Sequence, residues 1–218
     1  MGFYKQVVIV PDAKTTSGVW EKSFPIGEGV YATTRAYSCW SRIGQRCLQG
    51  SSTQRRAKSF EGNENKFKDF QEFAEWCQTQ PGYNNKDDNG KYWQLDKDII
   101  KPFNKEYSKE NCCFVPHRVN SLLLFKSASR GNLPLGVFLD KRRDDYIARC
   151  RGIDSKVKWL GSFTNPLLAH RAWQLSKINV IKLIAEEFKP TNISVYHGLL
   201  THSDYIQQDY DNNRETLR

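Results

Sequence analysis

The spacing of hydrophobic and polar positions predicts one strand and two amphipathic helices in the first part of the chain. An apolar run at Val7–Val10 indicates a short strand in an otherwise irregular N-terminal arm, residues 1–30. Residues 36–47 and residues 66–78 each repeat apolar side chains at intervals of three and four positions. Because this is the period of a helix with one buried face, both segments are expected to be helices that pack on a core.

The segment 92–120 combines two short strands, a connecting loop and the start of a helix. The first strand ends at Asp96, the second lies around Cys113–Val115, and Pro116 opens the helix, since proline is favoured at the first helical position. Asn120 then lies one turn inside the helix and faces Asp96. A carboxylate and an amide oxygen in this arrangement predict a site for one divalent metal ion.

The last third of the chain shows a different pattern, with three strand candidates before a long helix. The strands are expected at Leu135–Phe138, Tyr146–Arg151 and Val157–Phe163. Asn165 and Pro166 supply a capping residue and a first-turn proline for the helix. Its apolar face comprises Ala169, Ala172, Trp173, Val180, Leu183 and Ile184. After this small sheet and helix, the tail is expected to contain only a short helix near Val195–Leu200.

Composition and charge narrow the classes of protein. The 218 residues include 33 Lys and Arg against 24 Asp and Glu, a net charge of +9 that favours a polyanionic partner such as nucleic acid. No stretch approaches the roughly 18 consecutive apolar residues of a membrane span, and the N-terminal apolar run is too short for a signal peptide. We therefore expect a cytoplasmic protein that contacts no membrane and has no small-molecule substrate.

The six cysteines do not show the spacing of a structural zinc site. They are Cys39, Cys47, Cys77, Cys112, Cys113 and Cys150, and no two of them form a C-x2-C pair. A four-cysteine site could be drawn from the first three with Cys112 or Cys113. Buried, reduced thiols are the favoured interpretation, so structural zinc is not expected.

Positive charge is concentrated in the part of the chain with the three strand candidates. Residues 121–188 contain 12 Lys and Arg and six Asp and Glu, a net charge of +6. Arg149 and Arg151 are two positions apart on a predicted strand, so their side chains are expected on one face. Such a pair requires an anion, which a DNA phosphate or a guanine edge supplies; a solvated sheet face is the alternative.

The strand–loop–strand–helix segment resembles the ββα-metal core of HNH endonucleases of tailed bacteriophages. Asp96 matches the metal-binding aspartate of that family, and Asn111 matches the loop asparagine that holds the two strands together. Asn120 matches the helix residue that completes the metal site. The resemblance implies a phosphodiester hydrolase that uses one Mg²⁺ or Mn²⁺ ion held by Asp96 and Asn120.

The sequence departs from the HNH pattern at the general base. Lys97 stands where the family has a histidine. A lysine accepts a proton near neutral pH only if its pKa is strongly lowered, whereas a neutral imidazole does so readily. Lys97, Asp98 and His117 therefore all remain candidates for the base. The expected catalytic set is Asp96, Lys97, Asn111, His117 and Asn120.

The sheet-and-helix part resembles the DNA-binding domain of plant ethylene-response (APETALA-type) transcription factors. The matching stretches are LGV at 135–137, YIARCR at 146–151, WLGSF at 159–163 and the helix that contains AHRAW. The resemblance implies that the three-stranded sheet lies in the DNA major groove with the helix packed behind it. The side chains expected to contact DNA are Arg142, Arg143, Tyr146, Arg149, Arg151, Lys156, Lys158 and Trp159.

Together these patterns predict an α+β protein: an HNH-like ββα-metal core with bracing helices, followed by a three-stranded antiparallel sheet on one helix. The expected organisation is an arm at 1–30, a nuclease domain at 31–125, a linker at 126–134, a DNA-binding domain at 135–190 and a tail at 191–218. We expect a monomeric, homing-type DNA endonuclease that acts on double-stranded DNA in the cytoplasm of a bacterial host. The alternative is a DNA-binding protein or regulator on an inactive nuclease scaffold, and an RNA-cutting enzyme is the weaker third option.

Overall fold

The computed structural model describes residues 6–28, 30–53, 60–123 and 132–217. The basic loop that holds Arg55, Arg56 and Lys58, and most of the predicted linker 126–134, lie outside these ranges. Within them the chain folds into helices and several small sheets, which confirms the α+β class at that level. In the part of the chain that the structure describes, no helix has both the length and the apolar character needed to cross a bilayer.

The N-terminal residues form a three-stranded sheet rather than an arm with one strand. Strands β1 (Gln6–Val10) and β2 (Ser23–Gly27) flank β3 (Val30–Thr34), which pairs in parallel with β1 and antiparallel with β2. The expectation of a single strand was wrong because all five residues of β2 are exposed. A strand without a buried face carries no alternation of apolar and polar positions, so its sequence gives no period-2 signal.

Two helices pack beside this sheet around an aromatic core. Helix α1 (Arg35–Cys47) follows β3 directly, and α2 (Phe70–Thr79) begins four residues later than the predicted position 66 because Asp69 accepts a hydrogen bond from the Glu72 amide at 2.9 Å. Such a cap fixes the first turn of a helix. The short strands β4 (Glu64–Asn65) and β6 (Glu106–Tyr107) pair in parallel next to them.

The predicted strand–loop–strand–helix segment is present. Strands β5 (Gln94–Asp96) and β7 (Cys113–Val115) are antiparallel, with Asp96 opposite Cys113 and Gln94 opposite Val115. Helix α3 (His117–Asn120) starts one residue after the expected Pro116 and continues into a 3-10 turn (Ser121–Leu123). The last residue of α3, Asn120, therefore lies beside the first residue of β5, Gln94.

The second sheet agrees closely with the sequence pattern. Strands β8 (Val137–Asp140), β9 (Asp145–Arg151) and β10 (Val157–Phe163) are antiparallel in the order β10-β9-β8. Helix α4 (Pro166–Phe188) covers one face of this sheet. Gly136 permits the close approach, because it has a φ of +76° and a Cβ there would lie 2.0 Å from the Trp173 ring.

The tail is a long helix rather than a short one. Helix α5 (Ile193–Asp211) packs against α4, and residues of both helices share a core with the β5–β7 segment. The shared core includes Ile99, Cys113, Val115, Val119, Ile181, Ile184, Val195 and Leu199. The predicted apolar face of α4 is correct except at Leu183, which is 49% exposed because α5 covers the neighbouring face instead. Helices α4 and α5 therefore pack against the β5–β7 segment through this shared core.

Candidate functional site

A cluster of three polar side chains joins strand β5 to helix α3. The side-chain oxygen of Gln94 accepts a hydrogen bond from the Asn120 amide at 2.9 Å, and the Nδ1 of His117 lies 3.2 Å from the same oxygen. Because an amide oxygen only accepts, the His117 Nδ1 carries the proton, and Nε2 of a neutral ring carries the lone pair. Gln94 thus orients both helix residues.

Asp96 lies two residues after Gln94, and alternation along a strand directs both side chains to the same side. One carboxylate oxygen of Asp96 accepts hydrogen bonds from the backbone amides of Asp98 at 2.7 Å and Ile99 at 2.9 Å. Burial raises the pKa of this carboxyl group, and the neighbouring Asp98 charge raises it further. The second oxygen, Oδ2, has no hydrogen-bond partner within the described ranges.

Lys97 is buried, with 7% of its side chain exposed. Its ammonium group donates to the Asp98 carboxylate at 2.8 Å and to the backbone carbonyl of Asn104. The candidate base Asp98 is therefore the ion-pair partner of the candidate base Lys97. Both groups already have protein partners, unlike the Nε2 of His117, for which the described part of the chain provides no hydrogen bond.

The loop between β5 and β7 is held mainly by Asn104, a residue that the sequence analysis did not single out. Its side chain donates to the carbonyls of Lys97 at 2.8 Å and Glu106 at 2.6 Å and accepts from the Glu106 amide at 3.1 Å. Asn111 takes part more weakly, through a 3.4 Å contact with the Asn104 side chain. No local sequence signal identifies Asn104, because its partners are set by the path of the loop.

The outer face of the β8–β10 sheet carries the expected arginine pair. Arg149 and Arg151 are exposed and alternate with the buried residues Ala148 and Cys150, so they lie on the face away from α4. Trp159 stands opposite Arg149 in the register and is 65% exposed. The result is a solvent-facing surface that combines guanidinium groups with an aromatic ring.

The other residues expected to contact DNA occupy three different places. Arg142 and Arg143 are exposed in the turn between β8 and β9, where the Arg142 amide is held by Asp140 at 3.0 Å. Lys156 and Lys158 are exposed beside the β9–β10 turn. Tyr146 instead packs against the small core beneath the sheet, so its ring lies with the helix-facing side chains.

A cleft of about 760 Å³ runs between the sheet and helix α3, and we call it the sheet-side cleft. Its lining residues include Arg151 and Ser155 of the sheet, His117 and Arg118 of α3, and Asp87 and Asp88 of the loop before β5. Arg118 is paired with Glu187. The cleft thus has Arg151 of the sheet and His117 of the cluster among its lining residues, together with acidic side chains.

The donor atoms around the cluster suit a hard cation more than zinc. In the described residues no three His, Cys, Asp or Glu side chains are grouped to hold a metal ion, and all six cysteines are free. Cys112 is buried, and this burial raises the pKa of its thiol to about 12. Asp96 Oδ2 and the Asn120 side-chain oxygen, which accepts no hydrogen bond from the described residues, are the oxygen ligands that Mg²⁺ and Mn²⁺ prefer.

No family model, curated protein or solved structure matches this chain. The cluster that matters most here includes Gln94, which could have been recognised from sequence only by its position two residues before Asp96. Its link to Asn120 spans 26 positions and depends on the fold.

Proposed function

We propose that this protein is a metal-dependent DNA endonuclease that binds duplex DNA on the β8–β10 sheet and hydrolyses a phosphodiester bond at the β5–α3 cluster. The observation that carries the proposal is the pair of hydrogen bonds that the Gln94 side-chain oxygen accepts from His117 and Asn120. The two bonds hold an imidazole, with one nitrogen unpartnered among the described residues, in the same cluster as the Asn120 amide, and Asp96 lies two residues after Gln94 on the same strand. A proton acceptor beside a hard-cation site is the minimum set for hydrolysis of a phosphate diester.

Asp96 and Asn120 would hold the divalent ion. Mg²⁺ is commonly bound by one or two protein oxygens, with water and substrate phosphates completing its shell, so two donors are sufficient. The bound ion would stabilise negative charge on the scissile phosphate and on the leaving oxygen. Burial raises the pKa of Asp96, and the positive charge of a bound cation would lower it again. The cation would therefore favour the ionised carboxylate.

His117 is the best candidate for the general base. The carboxylate of Asp98 and the ammonium of Lys97 are paired with each other, and Lys97 has a further acceptor in the Asn104 carbonyl. The imidazole of His117 is exposed and is held at one nitrogen only. Its Nε2 would take the proton from the attacking water.

The sheet would supply most of the affinity for DNA. Arg149 and Arg151 are exposed on the same face, and their guanidinium groups can neutralise phosphates or contact guanine edges. Trp159 offers an apolar surface for a thymine methyl group or a sugar. The sheet-side cleft supports a route from the sheet to the cluster, because Arg151 and His117 both line it, although Asp87 and Asp88 line it too.

Plasmid nicking with purified protein tests the proposed reaction. We expect Mg²⁺-dependent nicking that falls by about 100-fold in His117→Gln, the usual scale for a positioned acid–base group. His197→Gln is the matched control, because His197 is exposed on α5 and should leave the rate unchanged. An equal loss in both variants, or none in His117→Gln, would exclude His117 as the base.

A DNA-binding protein without nuclease activity is the second candidate function. The ion pair between the buried Lys97 and the partly exposed Asp98 favours it, because the HNH-type base position is then occupied by a structural side chain. In that case the protein binds duplex DNA but does not nick plasmid with Mg²⁺ or Mn²⁺. The His117→Gln variant is then compared with the wild-type protein by its affinity for duplex DNA, because neither protein nicks plasmid.

A further inference from the structure

A second cavity, of about 430 Å³, lies between helix α1 and strand β5, and we call it the arginine cleft. Three arginines of α1 line it: Arg35, Arg42 and Arg46. Gln94 and Asn120 of the proposed catalytic cluster lie on its wall, and Trp93 lines both this cleft and the sheet-side cleft. None of its lining residues is an aspartate or a glutamate.

Arg35 is buried without a counter-ion. Only 5% of the residue is exposed, and no carboxylate in the described ranges lies within ion-pair distance of it. Its Nη2 donates to the Trp93 carbonyl at 2.9 Å, whereas Nη1 is buried and has no hydrogen-bond partner among the described residues. Because a buried charge is costly unless it is paired, this guanidinium indicates a site for an anion.

Aromatic rings hold the Arg35 guanidinium in position. Its central carbon lies 4.0 Å from the centre of the Tyr83 ring and 4.3 Å from that of Tyr92. Cation–π contacts of this kind stabilise the charge while leaving in-plane N–H groups available to an oxyanion. The Trp93 carbonyl accepts from one of these groups, and Nη1 is left buried without a hydrogen-bond partner among the described residues.

The other two arginines extend the positive charge along the same helix. Arg42 and Arg46 lie seven and eleven positions after Arg35, which places them on one helical face over about 16 Å of helix length. Arg42 is exposed and forms no ion pair with the described residues. Arg46 donates to the Tyr107 hydroxyl at 3.1 Å and lies 5.0 Å from the Phe60 ring.

We propose that the arginine cleft binds backbone phosphates of the DNA strand next to the bond that is cut. The inference rests on the proposed function for its position relative to the cut, but phosphate binding there requires neither metal nor cleavage. A strand fits better than a single phosphate, because the arginines extend over more than one phosphate spacing and the cleft continues to Asn120. Arg35 would take one phosphate inside the cleft, and Arg42 would contact a neighbouring phosphate at the entrance.

Nitrogen-detected NMR of the arginine side chains tests this without divalent metal, using full-length Asp96→Asn protein so that the DNA stays intact. We expect the Arg35 signal to shift on addition of a short duplex and, at higher concentration, on addition of inorganic phosphate. If phosphate shifts the signal but the duplex does not, the cleft binds a small phosphorylated molecule, and the strand proposal is overturned. If neither shifts it, the anion site itself is overturned.

Arg42→Gln provides the second measurement, because an exposed residue can be changed without disturbing the core. We expect duplex affinity to fall about tenfold at low salt, as for loss of one charge-assisted contact, and the slope of log affinity against log salt to fall by about 0.9. Lys182→Gln removes the same charge from an exposed site on α4 and should change neither quantity. Equal effects in both variants would overturn the proposal.

The two proposals fail separately in these experiments. If the Arg35 signal responds to duplex but the wild-type protein does not nick plasmid, the nuclease proposal fails and the phosphate cleft stands. If plasmid is nicked but the Arg35 signal and the Arg42→Gln affinity are unchanged, the cleft proposal fails and the nuclease stands.

Discussion

The side chain of Lys97, the residue after Asp96, is held by other groups of the protein. An HNH-type sequence pattern makes Lys97 a candidate base, but its ammonium group is buried and already bonded to Asp98 and Asn104. The sequence pattern around Lys97 therefore predicts the strand and loop correctly but does not predict the contacts of the Lys97 side chain. Gln94 is the opposite case, because no position of the HNH pattern corresponds to it, and yet its side chain contacts both His117 and Asn120.

The structural role of Lys97 leads to a prediction about stability. Lys97→Met leaves the Asn104 carbonyl without its donor, so we expect the free energy of unfolding to fall by about 2 kcal/mol. Urea denaturation followed by circular dichroism measures it. Lys101→Met, an exposed lysine four residues away, should change stability by less than about 0.5 kcal/mol. Full stability with loss of nicking in Lys97→Met would instead identify Lys97 as a chemical participant.

At the scale of secondary structure, the periodic elements were predictable and the others were not. Helix α1 and strands β8–β10 agree with the sequence pattern to within one or two residues. Helix α1 and strand β9 each have one buried and one exposed face, whereas β10 has no buried residue and is bounded instead by the turn before it and the helix cap after it. Strand β2 has no buried face, and α5 buries Gly198, His202 and Ser203 among its apolar residues. Elements whose buried face is absent or partly polar give a weak periodic signal, which is why these two were missed or shortened.

The basic sheet face gives a prediction at this scale. Changing both Arg149 and Arg151 to alanine removes two exposed guanidinium groups without touching the buried face of β9, so the fold should be kept. We expect weaker duplex binding and a decrease of about 1.8 in the slope of log affinity against log salt, since each phosphate contact contributes about 0.9. Fluorescence anisotropy at several salt concentrations measures both quantities, with Lys182→Gln as the single-charge control. An unchanged slope would mean that the sheet face is simply solvated.

Across the whole molecule, the C-terminal helices and the candidate site form one packed structure. Ile99 and Val115 of the hairpin share a core with Ile184 and Leu199 of α4 and α5. The His202 ring contacts the Asp98 carbonyl at 2.8 Å, next to the Lys97–Asp98 pair. The position of the site is thus determined by tertiary packing over about 100 residues of sequence separation, which local patterns cannot encode.

Gly198 tests this long-range support. A Cβ at this position would lie 2.3 Å from the Ile99 carbonyl oxygen, so Gly198→Ala should push α5 away from the hairpin. We expect a loss of about 2 kcal/mol in the free energy of unfolding, the scale of overpacking, together with a lower nicking rate. Gly44→Ala is the matched control: it also lies in a helix, but its added Cβ meets no atom within 4 Å, so stability should rise by up to about 1 kcal/mol. A stable, fully active Gly198→Ala protein would show that α5 does not support the site.

The most direct test of the central claim is the effect of Asp96→Asn on cleavage and on DNA affinity, measured side by side with Mg²⁺ present. An asparagine oxygen can still accept the bonds from the Asp98 and Ile99 amides, so the turn should be kept while the negative charge proposed to hold the metal is lost. We predict that nicking is abolished and that duplex affinity is unchanged, because our proposal assigns the affinity to the sheet and the arginines rather than to Asp96. Unchanged nicking, or parallel loss of nicking and binding, would contradict a metal-dependent reaction at Asp96.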